Sequence, residues 1–223
     1  MMNEKKIIIL GTGGNCIDIL DAINEINLIR QTYKIIGFLD DDISKLGKEY
    51  YGIKVLGGLN KAKEFKSTYF VNGIGSPNNF WKKEVILNKL NISLEWFETI
   101  IHPTASVSKL ATVGKGSVIL QNTTIASNVK IGNHVMILPN CVINHDDIIE
   151  DYVSITSGVC VSGGVVIKES SYIGSGSTII GNIIINKNAL IGMGSVVLKD
   201  VEKNSIVVGN PAKFLKRLNI TTI

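Results

Sequence analysis

Between Ile101 and about Glu202 one apolar, β-branched residue returns at every sixth position, from Ile101, Val107, Val113 and Ile119 through to Ile185, Ile191 and Val197, with no gap or insertion. Self-similarity at a fixed short period marks a repeat architecture, and a period of six carried by Ile and Val belongs to a parallel β-helix. An α-helix would need apolar residues at a period of 3.6, which this series does not supply. Four places after each of these residues stands a second, smaller column: Ala105, Ala111, Ser117, Thr123, Val129, Val135, Cys141 and onward to Ser195. One large and one small inward column fill a narrow core, and each buried Ile or Val contributes roughly 1.5–3 kcal/mol. Only Asp147 puts a charge into the second column.

A chain with this repeat resembles the hexapeptide-repeat acyltransferases, which wind three hexads into each triangular coil of a left-handed parallel β-helix. The hand is implied by the resemblance, since parallel crossovers are otherwise almost always right-handed. The length of 223 residues suits two domains of about a hundred residues each. The expected division is a Rossmann-like α/β domain over 1–97, the β-helix over 98–202, and a tail over 203–223. A net charge of +4 with no basic run beyond Lys213–Arg217 argues against a nucleic-acid partner. The apolar run near the N-terminus is too short for a signal peptide or a membrane span. Cys16, Cys141 and Cys160 have neither metal-ligand nor disulfide spacing, which fits a reducing cytoplasm.

Before the repeats, short apolar runs alternate with helical patterns. Lys6–Leu10 reads as a strand, and an amphipathic helix with Ile17, Leu20, Ile23 and Ile26 on one face follows. Lys34–Leu39 is a second strand, Tyr51–Leu56 a short edge strand, Leu59–Phe65 a short helix, Tyr69–Ile74 a further strand, and Asn79–Leu90 a helix. This alternation predicts an open parallel sheet. The first strand ends in Gly11-Thr12-Gly13-Gly14-Asn15, where backbone N–H groups can approach a phosphate. The full dinucleotide fingerprint is absent, because its third glycine falls at Cys16. The glycines could make a tight turn alone; with Asp40 and Asp41 closing the second strand, nucleotide binding is the stronger reading.

Within the repeats, Asn144-His145-Asp146-Asp147 is the stretch richest in chemistry. Stacking at eighteen residues puts Ser127, His145, Gly163 and Gly181 in one column. Two glycines beyond the histidine leave a groove beside it, and a bare backbone edge can admit an extended ligand and offer N–H groups to an oxyanion. His is the commonest general base, and the acidic neighbour favours that role over a plain surface histidine. A second bare column is Asn140, Gly158, Gly176 and Gly194. His134 reads as a surface residue and His102 as part of the domain junction. Cys141 reads as core and Cys160 as inert. Leu120, Leu138, Ile180 and Leu198 face outward and would suit a partner's surface.

Taken together, Gly11-x-Gly-Gly14, Phe38-Leu-Asp-Asp41, Ile101-His-Pro-Thr-Ala105, Asn144-His-Asp146, Ile191-Gly-x-Gly-Ser195 and Val208-Gly-Asn-Pro-Ala-Lys213 resemble the NeuD/PglD-type sugar acetyltransferases over almost the whole chain. The resemblance implies an acetyl-CoA-dependent N-acetyltransferase acting on the amine of a nucleotide-activated amino-dideoxy sugar, working as a homotrimer. It implies His145 as base and Asp146 as its orienter. It places Ser154, Gly163, Gly164, Gly181, Gly192, Pro211 and Lys213 along the acetyl-CoA path. Gly11, Gly13, Gly14, Asn15, Asp40, Asp41 and Gly75 would hold the nucleotide sugar, and no metal would take part. Asn15 and Ser154 stand where many members carry histidine, and Asp147 where they carry a small residue. An inward carboxylate must find donors or bind a proton more tightly, and Asp147 is expected to join the polar cluster around His145. Alternatives are O-acetylation of a sialic-acid-like sugar, a non-catalytic nucleotide-binding scaffold, and a γ-carbonic-anhydrase-like zinc enzyme.

Overall fold

The computed structural model describes residues 4–220, so the first and last three residues of the expected 1–97 and 203–223 segments lie outside the described residues. The N-terminal part is a five-stranded sheet in the order β3-β4-β2-β1-β5. Its strands are β1 (Lys5–Leu10), β2 (Tyr33–Leu39), β3 (Glu49–Tyr50), β4 (Ile53–Gly57) and β5 (Tyr69–Asn72). β1, β2, β4 and β5 are parallel. Ile7 to Leu10 are fully buried in a continuous apolar run, as expected of a central strand covered on both faces.

The expected edge strand Tyr51–Leu56 is instead a hairpin. Tyr51 and Gly52 both adopt positive φ (52° and 78°), the two-residue turn whose twist matches paired strands, and β3 becomes the edge. The helix α1 (Gly14–Ile29) buries Cys16, Ile19, Leu20, Ala22 and Ile23. Its stripe is thus rotated from the expected face, and Ile17 and Ile26 sit half-buried at its margins. The rotation follows from a second neighbour, since the helix lies on the sheet and also against the first strand of the coils. The stretch from Asn79 begins as a 3-10 turn (Phe80–Lys82) before α2 (Lys83–Lys89).

Seventeen two-residue strands follow, β6 (Ile100–Ile101) to β22 (Val196–Val197), and the second residue of each is one of the six-residue series. Every third strand stacks in parallel, eighteen residues on, as in Thr124 beside Val142 and Val142 beside Cys160. The result is a left-handed parallel β-helix with three faces. One is a six-stranded sheet, one a five-stranded sheet, and the third an eight-stranded sheet extended by β23 (Ser205–Val208) and an antiparallel β24 (Lys213–Arg217). From Ile119 to Val197 the large column is buried throughout. Ile101 is exposed and Val107 and Val113 half-buried, because the first coil has nothing stacked on its outer side. The small column tolerates hydroxyls because they donate to carbonyls fifteen residues on, as Ser117 does to Gly132 and Thr123 to Leu138.

A third period appears at the corners. Asn122, Asn128, His134, Asn140, Asp146 and Tyr152 all have φ between 54° and 64°, and Gly116, Gly158, Gly164, Gly176 and Gly194 continue the left-handed column. Gly and Asn tolerate this conformation, so the bare column at Gly158, Gly176 and Gly194 has a backbone reason. His134 also departs from the surface reading. It is buried, stacked on Tyr152 with ring centroids 5.4 Å apart and edge-on to Phe97 at 4.5 Å. Burial first, then the Lys83 charge, lowers its imidazole to about 4. His102 is buried too, its Nδ1 turned to Thr104.

The N-terminal sheet docks on the eight-stranded face. Leu120 is fully buried and Leu138 half-buried against a cluster that includes Ile7, Ile23 and Ile100. Those two leucines, expected to await a partner, are covered by the chain itself; Ile180 and Leu198 remain exposed.

Candidate active site

Two places gather polar groups at bare backbone. The first is a cleft of about 550 Å³ between the sheet and the eight-stranded face of the β-helix. Gly11, Gly13, Gly14, Asn15, Asp40, Asp41 and Gly75 line it from one side, and Ser154, Thr156 and Tyr172 from the other. At Gly13 and Gly14 an added Cβ would meet open space, so the loop offers bare backbone to the cleft. Gly11 has φ +96° and packs on the Cys16 thiol, which a Cβ there would approach to 2.9 Å. The strand-end glycines Gly11 and Gly73 make room for Cys16. Close helix–strand packing is thus kept although the third fingerprint glycine is missing.

Polar groups in this cleft are held before any ligand arrives. Asn15 donates its amide to the Gly75 carbonyl at 3.1 Å. Asp40 accepts from the Thr12 hydroxyl at 2.5 Å, from Lys45 at 3.1 Å and from the Asp42 N–H at 2.9 Å. Burial alone would raise its carboxyl, but those hydrogen bonds outweigh it and hold Asp40 below the ordinary carboxylate range. Asp41 accepts from the Leu59 N–H at 2.7 Å and so caps the turn that follows β4. Ser154 is buried and accepts from the ammonium of Lys83 at 2.8 Å. Thr12, Asn79, Thr156, Tyr172 and Lys83 were not singled out from the sequence. Tyr172 stands eighteen residues after Ser154 in the same outward column, a spacing that could have revealed it.

The second place is the corner carrying His145. Its Nδ1 lies 2.8 Å from Asp146 Oδ2, and Asp146 Oδ1 accepts from Asn128 at 3.1 Å. The bond from His145 first, then that from Asn128, keeps the Asp146 carboxyl low. With Nδ1–H donated to a carboxylate, Nε2 carries the free lone pair. An added Cβ on Gly163 would stand 2.7 Å from the ring carbon Cε1 and 2.9 Å from Nε2. The imidazole therefore lies over Gly163 in the space a side chain would fill. At Gly181 a Cβ would meet the Gly163 carbonyl at 2.8 Å, and at Gly164 the Asn182 side chain at 2.6 Å.

Asp147 takes no bond from His145. Its Oδ1 accepts from the Val165 N–H at 2.8 Å inside the coil, while Oδ2 is buried without a partner. Burial raises this carboxyl to about 7. The expected membership of the His145 cluster is thus limited to proximity in sequence and charge. Gly192 sits against Val208, whose Cγ1 a Cβ would meet at 2.6 Å, so its bareness is filled from within. Pro211 lies in the exposed turn before β24, and Lys213 flanks a cavity of about 500 Å³ with Lys199, Phe214 and Arg217.

The two places are not joined within one chain. Ser154 belongs to the eight-stranded face, whereas His145 stands at the corner between the other two faces. In a three-sided prism that corner lies opposite the cleft. Among the described residues no helix is long and apolar enough to cross a membrane, and no group of three His, Cys, Asp or Glu side chains is arranged to hold a metal ion.

Comparison with known proteins places these features. Residues 6–89 match the PglD N-terminal domain family. The chain is 30% identical over 118 residues to UDP-N-acetylbacillosamine N-acetyltransferase of Bacillus subtilis (strain 168), a stretch covering 52% of this chain and 51% of that protein. The match thus spans about half the length of that curated relative. The acetyltransferase domain of PglB from Neisseria gonorrhoeae FA1090, solved in complex with acetyl coenzyme A, superposes with a TM-score of 0.84 at 25% identity, over 96% of this chain and all of that one. PerB from Caulobacter crescentus, in complex with CoA and GDP-perosamine, shares the fold with a TM-score of 0.81 at 21% identity, over 97% of this chain and 99% of that one. Residues 6–89 thus match the PglD N-terminal domain family, and over 96% of its length the chain is similar in fold to the acetyltransferase domain of PglB.

Proposed function

We propose that the protein transfers the acetyl group of acetyl-CoA to the amine of a nucleotide-linked amino-dideoxy sugar. The observation that carries this reading is the His145–Asp146 pair, bonded at 2.8 Å and laid over the bare backbone of Gly163. Asp146 fixes the tautomer, so that Nε2 of His145 accepts a proton from the amine as its nitrogen attacks the thioester carbonyl. The backbone N–H of Gly163 is suited to the oxyanion of the tetrahedral intermediate, whereas that of Gly164 donates to the His145 carbonyl at 3.0 Å. Collapse expels CoA as its thiol, with the proton returned by the histidine, and leaves the amide. The glycine loop, Asn15, Asp40, Asp41 and Gly75 would hold the nucleotide sugar; Ser154, Gly181, Gly192, Pro211 and Lys213 would lie along acetyl-CoA.

The position of His145 opposite the cleft favours assembly. A base on one corner can serve a sugar held in a cleft only if a neighbouring copy supplies one of them, and a homotrimer arranged around the β-helix meets that need. A cytoplasmic location suits a consumer of acetyl-CoA with three free cysteines.

The test is release of CoA thiol from acetyl-CoA offered with UDP-, dTDP- and GDP-linked 4-amino sugars, with His145→Ala alongside. Turnover with one sugar, reduced in the variant by about 10²–10⁴-fold, is the expected result. No turnover with any amine, and release with a sialic-acid-type hydroxyl, would replace N- by O-acetylation.

A further inference from the structure

The cleft that is proposed to take a nucleotide sugar has two aspartates among its lining side chains and no lysine or arginine. One cation stands directly behind its floor. Lys83 is completely buried, its Nζ donating to Ser154 Oγ at 2.8 Å and reaching the Val153 carbonyl at 3.5 Å. A Cβ at Gly75 would meet Lys83 Cε at 3.1 Å and Ser154 Oγ at 3.3 Å, so the three groups form one layer under the cleft. Among the described residues no carboxylate pairs with Lys83. Glu84, beside it on α2, turns to Lys187, and Asp151 accepts from Asn133. Of the other titratable groups nearby, His134, Tyr152 and Tyr172 are not anionic at neutral pH, Lys82 and Lys89 on the same stretch are cations, and Glu169 is paired with Lys187. An ammonium buried without a counter-charge is costly, and such groups are kept where a ligand supplies what is missing.

The direction of the Lys83–Ser154 bond gives this charge an outlet. Because Ser154 accepts from the ammonium, its own hydroxyl hydrogen is left for another partner, and no described residue takes it. Ser154 lines the cleft; Lys83 does not. We propose that Lys83 is a positioning residue acting through Ser154: the ammonium turns the hydroxyl into a hydrogen-bond donor aimed into the cleft, at an oxygen of the ligand that bears negative charge. This rests on the reading of the cleft as the substrate site. The oxygen belongs either to the diphosphate of the nucleotide sugar or to the acyl carbonyl of acetyl-CoA, which gains negative charge as it reacts. If Lys83 loses its proton, the neutral amine becomes an acceptor for the same hydroxyl, and the donor in the cleft is withdrawn. Burial places that loss at about 7, within reach of ordinary conditions.

Proton linkage follows. A ligand oxygen that draws on the ammonium must raise its affinity for a proton, so binding above neutrality takes up a proton from solution. The experiment is calorimetric titration of the full-length protein with UDP, GDP and, separately, acetyl-CoA at pH 8.0, each in two buffers of different ionisation enthalpy. The expected result is net proton uptake with a nucleoside diphosphate or with acetyl-CoA, whichever supplies the oxygen. Lys83→Met should abolish the uptake and weaken that ligand about tenfold. If Lys83→Met does not fold, the wild-type Kd between pH 7 and 9 serves instead; it should weaken by up to about tenfold per unit. Binding with no proton uptake and a flat pH profile overturns the role of Lys83 while leaving the cleft reading intact. No binding of either nucleotide or of acetyl-CoA overturns the cleft reading itself, and this inference with it.

Discussion

Gly163 is the residue on which the position of the proposed base depends. The His145 ring occupies the volume of its absent Cβ, while the ring is largely exposed and contributes little to the core. Gly163→Ala should therefore cut kcat by about 10²-fold, the scale of a misplaced reacting group, with a melting temperature close to that of the wild type. Equal loss of both would mean that Gly163 serves the coil and not the histidine. Asp147 poses the opposite case, a group that matters to the coil before the chemistry. Its carboxyl binds a proton more tightly in the folded chain (about 7) than in the unfolded one. Its contribution is thus fully present below the unfolded value and lost as pH rises through about 7. Because His134, held at about 4 by burial, acts in the opposite sense over the same range, the reading is a difference: from pH 4 to pH 7 the wild type should lose stability relative to Asp147→Asn, in urea unfolding, by an amount on the order of a few kcal/mol. A difference between the two proteins that stays constant across this window would contradict the assignment.

At the scale of the strand and the corner, the six-residue series was legible because the large inward position must be apolar in every coil; β6 to β22 each end on it. The left-handed corner column was less visible. His134, Asp146 and Tyr152 occupy it at φ 54°, 64° and 63°, and residues so different in chemistry hide a shared backbone demand. Their side chains are held by neighbours eighteen residues away, as with the His134–Tyr152 stack, which a local pattern does not encode. The demand can be measured where no side-chain contact intervenes. Asn122 is exposed, with φ 56°. Asn122→Ala should destabilise by about 1 kcal/mol while Asn122→Gly costs less, both read from chemical denaturation; indistinguishable variants would remove backbone conformation as the cause.

For the molecule as a whole, the repeat could not tell which outward residues the rest of the chain covers. Leu120 and Leu138 look like Ile180 and Leu198 in the sequence, yet only the first pair meets the N-terminal sheet. The same docking creates the cleft, so its far wall (Ser154, Thr156, Tyr172) was beyond a reading that took the two halves separately. A chain cut to residues 98–220 would bare Val118, Leu120 and Met136, now at most 3% exposed, and should self-associate in sedimentation; a monodisperse species no larger than the full-length assembly would count against that docking. The unbroken six-residue period also bears on how such a chain can change over generations. Removing one residue anywhere between Val107 and Val197 would turn every later inward side chain to the outside. Length can therefore be gained or lost only by whole coils or by loops thrown out at corners, whereas outward positions are free to drift one substitution at a time.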